Sequence, residues 1–337
     1  MRILVALRTH SLNPENQNMI SHFDFEHMNL MPKKCIVASR SCCDTSAVFG
    51  KRTFHLPVVP ANMECVINED IAEKLAAAGY FYILHRFNID AVEFAKRMKA
   101  KGLFISISIG VGEEAYTLMN NLQNQNLMPD YVTIDIAHGH AVLMEKMLEF
   151  MNTLAPRPFV IAGNVCTVEA VRDLEAWGAD AIKVGIGPGS ACTTYVATGF
   201  GSRGIQASVI GQCADVAQKA VIVADGGVKE PGDIAKAIFM GAKMVMIGGM
   251  FSGLVDSPGA IVAVDGRRFK EFWGSASAAQ GKTNRIEGTK KLIPLKERSY
   301  LEEMAYVKEC LQSAISYAGG NTLESLTHGN FCIQPMV

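Results

Sequence analysis

The stretch that decides the fold is VIVADGGVKEPGDIAKAIFMGAKMVMIGG, residues 221–249. It begins with an apolar run of strand length (221–224) and continues through a short loop into an amphipathic stretch of helical period (232–240). Gly241 then ends the helix, and a second apolar run follows at 244–247. Both runs are apolar at every position, which is typical of parallel strands that are covered on both faces. The stretch therefore predicts a β–α–β unit.

The same alternation recurs along the chain. Further strand-length apolar runs lie at 57–61, 80–84, 103–109, 131–136, 159–162 and 181–185, and further helical patterns lie at 69–78, 90–100, 142–154 and 167–177. Eight strand–helix units with right-handed crossovers predict an α/β fold of the closed (β/α)₈ type, a TIM barrel. The alternative is an open doubly wound sheet, and the lack of an early G-x-G-x-x-G after a first strand counts against it.

The composition indicates a soluble globular protein. Of 337 residues, 49% are hydrophobic and 19% are charged, which suffices for a large core and does not favour disorder. The formal net charge of −1 does not favour nucleic-acid binding. The longest apolar stretches, such as 244–255, fall short of the roughly 20 residues that span a bilayer, and the N-terminus does not resemble a signal peptide. We therefore expect a cytoplasmic protein without a membrane or nucleic-acid partner.

Residues 261–273 predict a hairpin around Asp265 and Gly266, followed by the polar, turn-rich stretch 274–291. An insertion after the eighth strand would lie at the active face of a barrel, which predicts a C-terminal active-site flap at about 261–295. A surface hairpin without function is the alternative. Residues 23–337 then form a single barrel domain, and residues 1–22 are an N-terminal extension of unknown role.

One cysteine stands apart from the other eight. Most of the nine cysteines are expected to be small buried side chains, but Cys192 follows a glycine-rich loop (185–194) after the sixth strand. In a TIM barrel such loops carry the chemistry, and a thiol beside hydroxyls and backbone dipoles is a candidate nucleophile. His138 and His140 lie on another loop without a third ligand nearby, so no metal site is predicted there.

Glycine pairs follow the seventh and eighth strands. Gly226–Gly227 and Gly248–Gly249 would let backbone N–H groups approach an anion, and this is where such barrels usually bind phosphate. Asp225 would repel a phosphate, so it is better placed to accept hydrogen bonds from ribose hydroxyls. These loops predict a pocket for a ribose phosphate.

The motifs of these loops resemble those of the inosine monophosphate dehydrogenase/GMP reductase family. The resemblance rests on GIGPGSACTT (185–194), ADGG (224–227), MIGG (246–249) and GSAS (274–277). Further matches at 39–41, 60–63, 85–86, 135–139 and 162–165 extend it over about residues 23–320. Two features favour the short bacterial reductase branch: no regulatory domain interrupts the barrel near Gly110, and the flap lacks the Arg-Tyr pair with which the dehydrogenases activate water.

The resemblance implies NADPH-dependent reductive deamination of GMP to IMP and ammonia through a covalent cysteine thioimidate. It implies that Cys192 is the nucleophile and that Thr194 and Glu287 transfer protons. The implied contacts to the nucleotide are Ser190, Asp225, Gly226, Gly227, Gly248, Gly249, Gly274, Ser275, Ala276, Arg285 and Gly288.

The resemblance also implies how further ligands and subunits contribute. The implied NADPH surface comprises Ser39, Arg40, Arg86, Asp135 and Ala137, with Ser313, Ser316 and Tyr317 from an adjacent subunit of a homotetramer. Carbonyl oxygens of Gly187, Gly189 and Cys192 would bind a potassium ion. Tyr195 departs from the family pattern, in which many members have a basic residue. The alternatives are an inosine monophosphate dehydrogenase, a flavin-binding barrel oxidoreductase and a catalytically inactive nucleotide sensor.

Overall fold

A computed structural model describes residues 22–274 and 288–334. Its strands are β1 (Met28–Met31), β2 (Ala47–Phe49), β3 (Arg52–Phe54), β4 (Val58–Pro60), β5 (Ser106–Ile109), β6 (Tyr131–Asp135), β7 (Phe159–Val165), β8 (Ala181–Val184), β9 (Val221–Asp225), β10 (Ala242–Ile247), β11 (Ile261–Val264), β12 (Arg267–Trp273), β13 (Lys290–Pro294) and β14 (Asn330–Ile333). Its helices are α1 (Glu69–Ala77), α2 (Ala91–Ala100), α3 (Glu113–Asn124), α4 (Val142–Thr153), α5 (Val168–Ala176), α6 (Thr194–Thr198), α7 (Gln206–Val216), α8 (Pro231–Phe239), α9 (Gly249–Ser252) and α10 (Tyr300–Tyr317).

The central sheet contains seven parallel strands in the order β4-β10-β9-β8-β7-β6-β5. The first and the last of these strands along the chain, β4 and β10, are neighbours. The N–H of Val245 donates to the carbonyl of Pro57 at 2.8 Å, and the N–H of Ala61 donates to that of Ile247 at 2.9 Å. Because the two chain-order extremes pair, the sheet closes on itself, so the predicted (β/α)₈ barrel is confirmed and the open doubly wound sheet is wrong.

The second predicted strand, 80–84, lies beside β5 in the barrel but forms few backbone hydrogen bonds with it. The N–H of Leu84 donates to the carbonyl of Ser106 in β5 at 3.2 Å, and one isolated bridge joins Leu84 to Ile107. The N–H of Ser106 in turn donates to the hydroxyl of Tyr82 at 3.1 Å. A side chain thus provides a bond that a regular strand would make with its backbone.

Five helices, α3, α6, α7, α9 and α10, lie outside the helical patterns noted in the sequence. Helix α3 begins after Gly112 without a side-chain cap and is rich in polar residues, so its start is not marked. Helix α7 is buried on most of its surface, including Gln206 and Ser208, and therefore lacks the one-sided apolar pattern of an amphipathic helix. Helix α10 starts with a capping box between Ser299 and Glu302 and packs on α8, which places the C-terminal segment on the outside of the barrel.

The chain ends and the predicted hairpin lie outside the central sheet. Strands β1 and β14 pair antiparallel, and β11, β12 and β13 form a separate antiparallel sheet. The turn between β11 and β12 has positive φ at Asp265 (49°) and Gly266 (73°), so the predicted hairpin is confirmed. Residues 1–21 lie outside the described ranges, and the division into an extension and one barrel domain stays a prediction. Among the helices of these ranges, none combines the length and apolarity needed to cross a bilayer.

The hairpin β2–β3 covers the amino ends of the barrel strands. The ring of Phe49 stacks on Tyr131 with centroids 6.0 Å apart and meets Phe159 edge-on at 5.0 Å; these two aromatic residues begin β6 and β7. The Tyr131 hydroxyl donates to the carbonyl of Phe49 at 2.7 Å. This aromatic cluster seals the bottom of the barrel, so the functional groups are left to the opposite end.

Replacing Phe49 with Ala is expected to lower the free energy of unfolding by about 3–5 kcal/mol, because a side chain only 1% exposed is lost from a close-packed cluster. The neighbouring Val48 is 56% exposed, and Val48→Ala should change that free energy by no more than about 0.5 kcal/mol. Urea unfolding followed by circular dichroism measures both. Equal effects of the two substitutions would contradict the role of the hairpin as a seal.

Candidate active site

A cavity of about 700 Å³ lies at the carboxyl ends of the barrel strands. This end is where barrels of this type carry their ligands. Many of the residues singled out from the sequence line it, although they are far apart in the chain. Those lining residues are Arg86, Asp135, Ala137, Gly187, Gly189, Ser190, Cys192, Thr194, Asp225, Gly226, Gly227, Gly248, Gly249 and Gly274.

The candidate nucleophile lies against a hydroxyl. The thiol of Cys192 donates to Oγ1 of Thr194 at a sulfur–oxygen distance of 3.2 Å. Thr194 is the first residue of α6 and is 9% exposed, so the helix holds its side chain in place. Cys192 also forms an isolated antiparallel β-bridge with Gly288, and the N–H of Thr289 donates to the carbonyl of Ala191 at 3.0 Å. The chain that returns from the flap is therefore fixed beside the thiol.

Glycines let the loops of β8 and β9 approach one another closely. Gly185 has a φ of +149°, and a Cβ atom there would lie 1.9 Å from the carbonyl oxygen of Asp225. Gly226 has a φ of +87°, and a Cβ there would lie 3.0 Å from the backbone nitrogen of Gly189. Only a residue without a side chain permits both the conformation and the contact. The glycines thus bring the thiol loop next to the loop that follows β9.

The loop after β10 completes this side of the cavity. Helix α9 begins at Gly249, and a Cβ atom on Gly249 would lie 3.9 Å from Oγ of Ser190. The hydroxyl of Ser190 therefore faces the second glycine pair. Backbone groups of three neighbouring loops and one hydroxyl converge here, an arrangement that suits a phosphate or another anion.

A buried lysine lies at the floor of the cavity between two carboxylates. Nζ of Lys183, whose side chain is 2% exposed, is 3.0 Å from Oδ1 of Asp135 and 3.2 Å from Oδ2 of Asp225. Burial favours neutral Asp135, but the attraction of Lys183 outweighs this effect and keeps the pKa of Asp135 below its ordinary value. Burial likewise favours neutral Lys183, while the attraction of Asp135 and Asp225 keeps its pKa above the ordinary value. Lys183 and Asp135 are therefore both charged near neutral pH.

Two amides complete this network. Nδ2 of Asn62 donates to Asp135 at 2.8 Å, and Nδ2 of Asn164 donates to Asp225 and to the carbonyl of Gly185, each at 2.7 Å. Oδ1 of Asn164 is buried and has no hydrogen-bond partner within the described residues, which leaves it for a ligand donor.

Lys183, Asn62 and Asn164 are not among the site residues predicted from the sequence. A signal for Lys183 was present, because it is the charged residue of the otherwise apolar run 181–185 and a charge buried in a barrel strand needs a partner. The two asparagines lie within the stretches 60–63 and 162–165 that resemble the family, and this resemblance is the signal that could have found them.

Another set of predicted residues lies away from the cavity wall. Ser39 and Arg40 belong to an exposed turn, and Nε2 of Gln312 in α10 donates to the carbonyl of Ser41 in that turn at 3.3 Å. Ser313, Ser316 and Tyr317 end the same helix, and Tyr317 is 65% exposed. The two groups thus lie together on the surface of one chain. Ser275, Ala276, Arg285 and Glu287 lie outside the described residues.

The two loop histidines take no part in the cavity lining. Nε2 of His140 lies 2.8 Å from Oδ2 of Asp173, and His138 is exposed. Among residues 22–274 and 288–334, no group of three or more His, Cys, Asp or Glu side chains is arranged to hold a metal ion.

The comparison with known proteins identifies the family. The pattern described as "IMP dehydrogenase / GMP reductase domain" matches residues 22–333. The chain belongs to this family. The resemblance noted in the sequence is thereby confirmed, and the family match extends to the end of the last strand.

Curated relatives of the family cover nearly the whole chain. A protein of Pediococcus pentosaceus is 51% identical over 314 residues, which is 92% of this chain and 96% of the relative. One from Bacillus licheniformis is 50% identical over 313 residues, 92% of this chain and 95% of the relative. One from Clostridium acetobutylicum is 50% identical over 321 residues, 94% of this chain and 96% of the relative. Each of these relatives is named "GMP reductase".

Gly185→Ala is expected to lower the free energy of unfolding by about 2 kcal/mol or more, because the new Cβ meets the carbonyl of Asp225 and the positive φ is strained. Urea unfolding measures this loss. The matched control is Gly232→Ala in α8, where a Cβ meets no heavy atom within 4 Å. That control should leave the free energy unchanged or raise it by up to about 1 kcal/mol. A Gly185→Ala protein as stable as the control would show that the two loops do not need their close approach.

Proposed function

We propose that the protein catalyses the NADPH-dependent reductive deamination of GMP to IMP and ammonia. The observation that carries the proposal is the Cys192 thiol, 3.2 Å from the Thr194 hydroxyl on the wall of a cavity ringed by glycine loops. The names of relatives about half identical to this chain support the same activity. GMP, NADPH and two protons give IMP, NADP⁺ and ammonium, so the reaction balances.

The nucleotide would occupy the side of the cavity formed by the loops after β8, β9 and β10. Backbone N–H groups of the two glycine pairs and the hydroxyl of Ser190 suit the phosphate. Asp225 is suited to accept hydrogen bonds from the ribose hydroxyls. The base would extend toward the flap, where contacts are proposed for Gly274, Ser275, Ala276, Arg285 and Gly288.

The first chemical step joins Cys192 to the purine. The sulfur attacks C2, a C–S bond forms, and the C–N bond to the exocyclic amino group breaks, leaving a thioimidate on Cys192. Ammonia is a poor leaving group unless its nitrogen is protonated, so an acid has to act at this atom. Glu287 would supply that proton with the help of Thr194, whose hydroxyl already contacts the thiol.

The second step removes the purine from Cys192. NADPH, when bound, supplies a hydride to C2. The C–S bond then breaks, and Cys192 regains its electron pair as a thiolate. Arg86, Asp135 and Ala137 would hold the dinucleotide along the cavity, and the unpartnered Oδ1 of Asn164 fits a donor such as a carboxamide N–H.

A neighbouring copy of the chain would complete the dinucleotide site. Ser39 and Arg40 lie beside the end of α10, which carries Ser313, the buried Ser316 and the exposed Tyr317. We propose that this surface faces the cavity of an adjacent subunit in a homotetramer, since it does not line the cavity of its own chain.

A potassium ion would stabilise the thiol loop. Neutral carbonyl oxygens, here those of Gly187, Gly189 and Cys192, are the ligands that such a weakly hydrated cation prefers. Gly189 also accepts the N–H of Cys192 at 3.0 Å, so its carbonyl oxygen is already fixed in the turn. The ion would hold the loop around Cys192 and would take no part in the bond changes.

The decisive experiment is incubation of the purified protein with GMP and NADPH. Loss of the absorbance of the reduced cofactor together with ammonia release would support the proposal. A parallel incubation with IMP and NAD⁺ tests the dehydrogenase alternative, and a yellow protein would indicate the flavin-binding alternative. Turnover of IMP and NAD⁺ without turnover of GMP would overturn the proposal.

Cys192→Ser should abolish turnover and retain affinity for GMP, because a hydroxyl is a much weaker nucleophile and the glycine loops are unchanged. We expect the rate to fall by more than about a thousandfold, measured by NADPH oxidation, while calorimetry gives a similar Kd for GMP. Cys332→Ser, at an exposed position of β14, is the matched control and should keep the full rate. A Cys192→Ser rate within about tenfold of the original protein excludes covalent catalysis.

Glu287→Gln should slow ammonia release more than it slows hydride transfer, because an amide cannot cycle the proton that the leaving nitrogen needs. The loss in the deamination half-reaction is expected to be about 10²–10⁴-fold. IMP with NADP⁺ reports the reverse hydride transfer alone. Glu297→Gln, on the exposed surface, is the control and should change neither step. Equal slowing of both half-reactions by Glu287→Gln would assign this residue to flap closure.

A further inference from the structure

The side chain of Lys183 crosses a neighbouring strand to reach its partner. In the parallel register, Asp135 of β6 lies opposite Gly163 of β7, and Gly163 lies opposite Lys183 of β8. A Cβ atom on Gly163 would lie 2.5 Å from Cβ of Lys183. The missing side chain of Gly163 therefore opens the path by which the ammonium of Lys183 passes over β7 to Asp135.

One ammonium group is shared by two carboxylates from different sides of the cavity. Lys183 contacts Asp135 at the end of β6 and Asp225 at the end of β9. Its contact with Asp225 falls on Oδ2, the same atom that accepts from Asn164. Oδ1 of Asp225 is therefore the oxygen that a ligand hydroxyl in the cavity would meet.

We propose that Lys183 is a positioning residue that orients Asp135 and Asp225 together, and so prepares the dinucleotide side and the ribose side of the cavity at once. The inference rests on the proposed function, in which Asp135 faces the dinucleotide and Asp225 the ribose. Lys183 itself acts through the two carboxylates.

The charges around Lys183 explain why its removal affects both sides. Among the described residues, two further charged groups act on the pair formed by Lys183 and Asp135. Asp225 attracts Lys183, and Arg86 lowers the pKa of Asp135. Without Lys183 the two partly buried carboxylates repel each other, and Arg86 is the remaining cation that acts on Asp135. Burial then raises the pKa of Asp135, so that it loses its proton at a higher pH than in the original protein.

The experiment measures the binding of each ligand alone, without turnover. Calorimetric Kd values for GMP and for NADP⁺ are determined between about pH 5 and 8 for the original protein and for Lys183→Met. Lys236→Met is the matched control, because Lys236 is also largely buried and ion-paired, with Asp233 at 3.2 Å, but lies on the outer helix α8. The Kd of the variant is divided by the Kd of the original protein at each pH. The ionisation of the ligands affects both values equally and therefore does not affect this ratio.

Both Kd values of Lys183→Met are expected to rise by about tenfold or more at pH 7, because a buried ion pair has lost one partner. For NADP⁺ the ratio should fall as the pH rises, since Asp135 regains its charge above its raised pKa. Lys236→Met should lower the unfolding free energy and leave both Kd values within about twofold. If Lys183 has a purely structural role, the ratio of the two Kd values for NADP⁺ is the same at every pH, and that result overturns the proposal. Kd values of Lys183→Met equal to those of the original protein overturn it as well.

The outcomes also separate this proposal from the proposed function. If the original protein binds neither GMP nor NADP⁺, the proposed function is wrong. If it binds both and Lys183→Met binds them equally well, only the role of Lys183 is wrong. Should Lys183→Met not fold, Lys183→Gln takes its place with the same expected ratios, because its amide still donates a hydrogen bond but carries no charge.

Discussion

The pairing of β4 with β10 is the constraint on which the rest of the structure depends. It joins strands that are almost 190 residues apart along the chain and closes the sheet, so that the carboxyl ends of all the barrel strands meet around one cavity. Parallel strands within a closed sheet bring loops of such distant sequence together at each end of the barrel. The aromatic residues beneath hairpin β2–β3 fill the opposite end and leave the loops of the carboxyl end to bind ligands.

Within this frame, the cavity depends on two kinds of close approach. Glycines such as Gly185 and Gly226 let backbone segments lie closer than any side chain would allow, and they bring the thiol loop against the end of β9. At the floor, Gly163 lets the side chain of Lys183 pass over β7 and pair with Asp135. Both effects depend on the absence of a Cβ atom. The first lets two backbone segments lie close together, and the second lets a charged side chain reach its partner.

The buried charges also relate stability to function. A lysine that is 2% exposed is tolerated only because Asp135 and Asp225 flank it, and such pairs contribute little net stability compared with apolar packing. Their orientation is a stronger reason for their presence, since Asn62 donates to the other oxygen of Asp135 and Asn164 donates to the oxygen of Asp225 that Lys183 also contacts. The floor of the cavity is thus preorganised, and a ligand meets carboxyl groups that are already fixed in position.

The sequence by itself determined the succession of barrel strands, five of the ten described helices, the barrel, the family and the glycine loops that line the cavity, because hydrophobic period and glycine-rich turns are encoded within a few neighbouring residues. It did not reveal that the Tyr82 hydroxyl would supply one of the hydrogen bonds that join 80–84 to β5, nor that α7 would be buried on most of its surface, since tertiary packing overrides local pattern there. Only the tertiary structure decided that Lys183 joins Asp135 and Asp225. The physical reason is that side-chain reach between strands depends on register and on the missing Cβ of Gly163, which no single stretch of sequence contains.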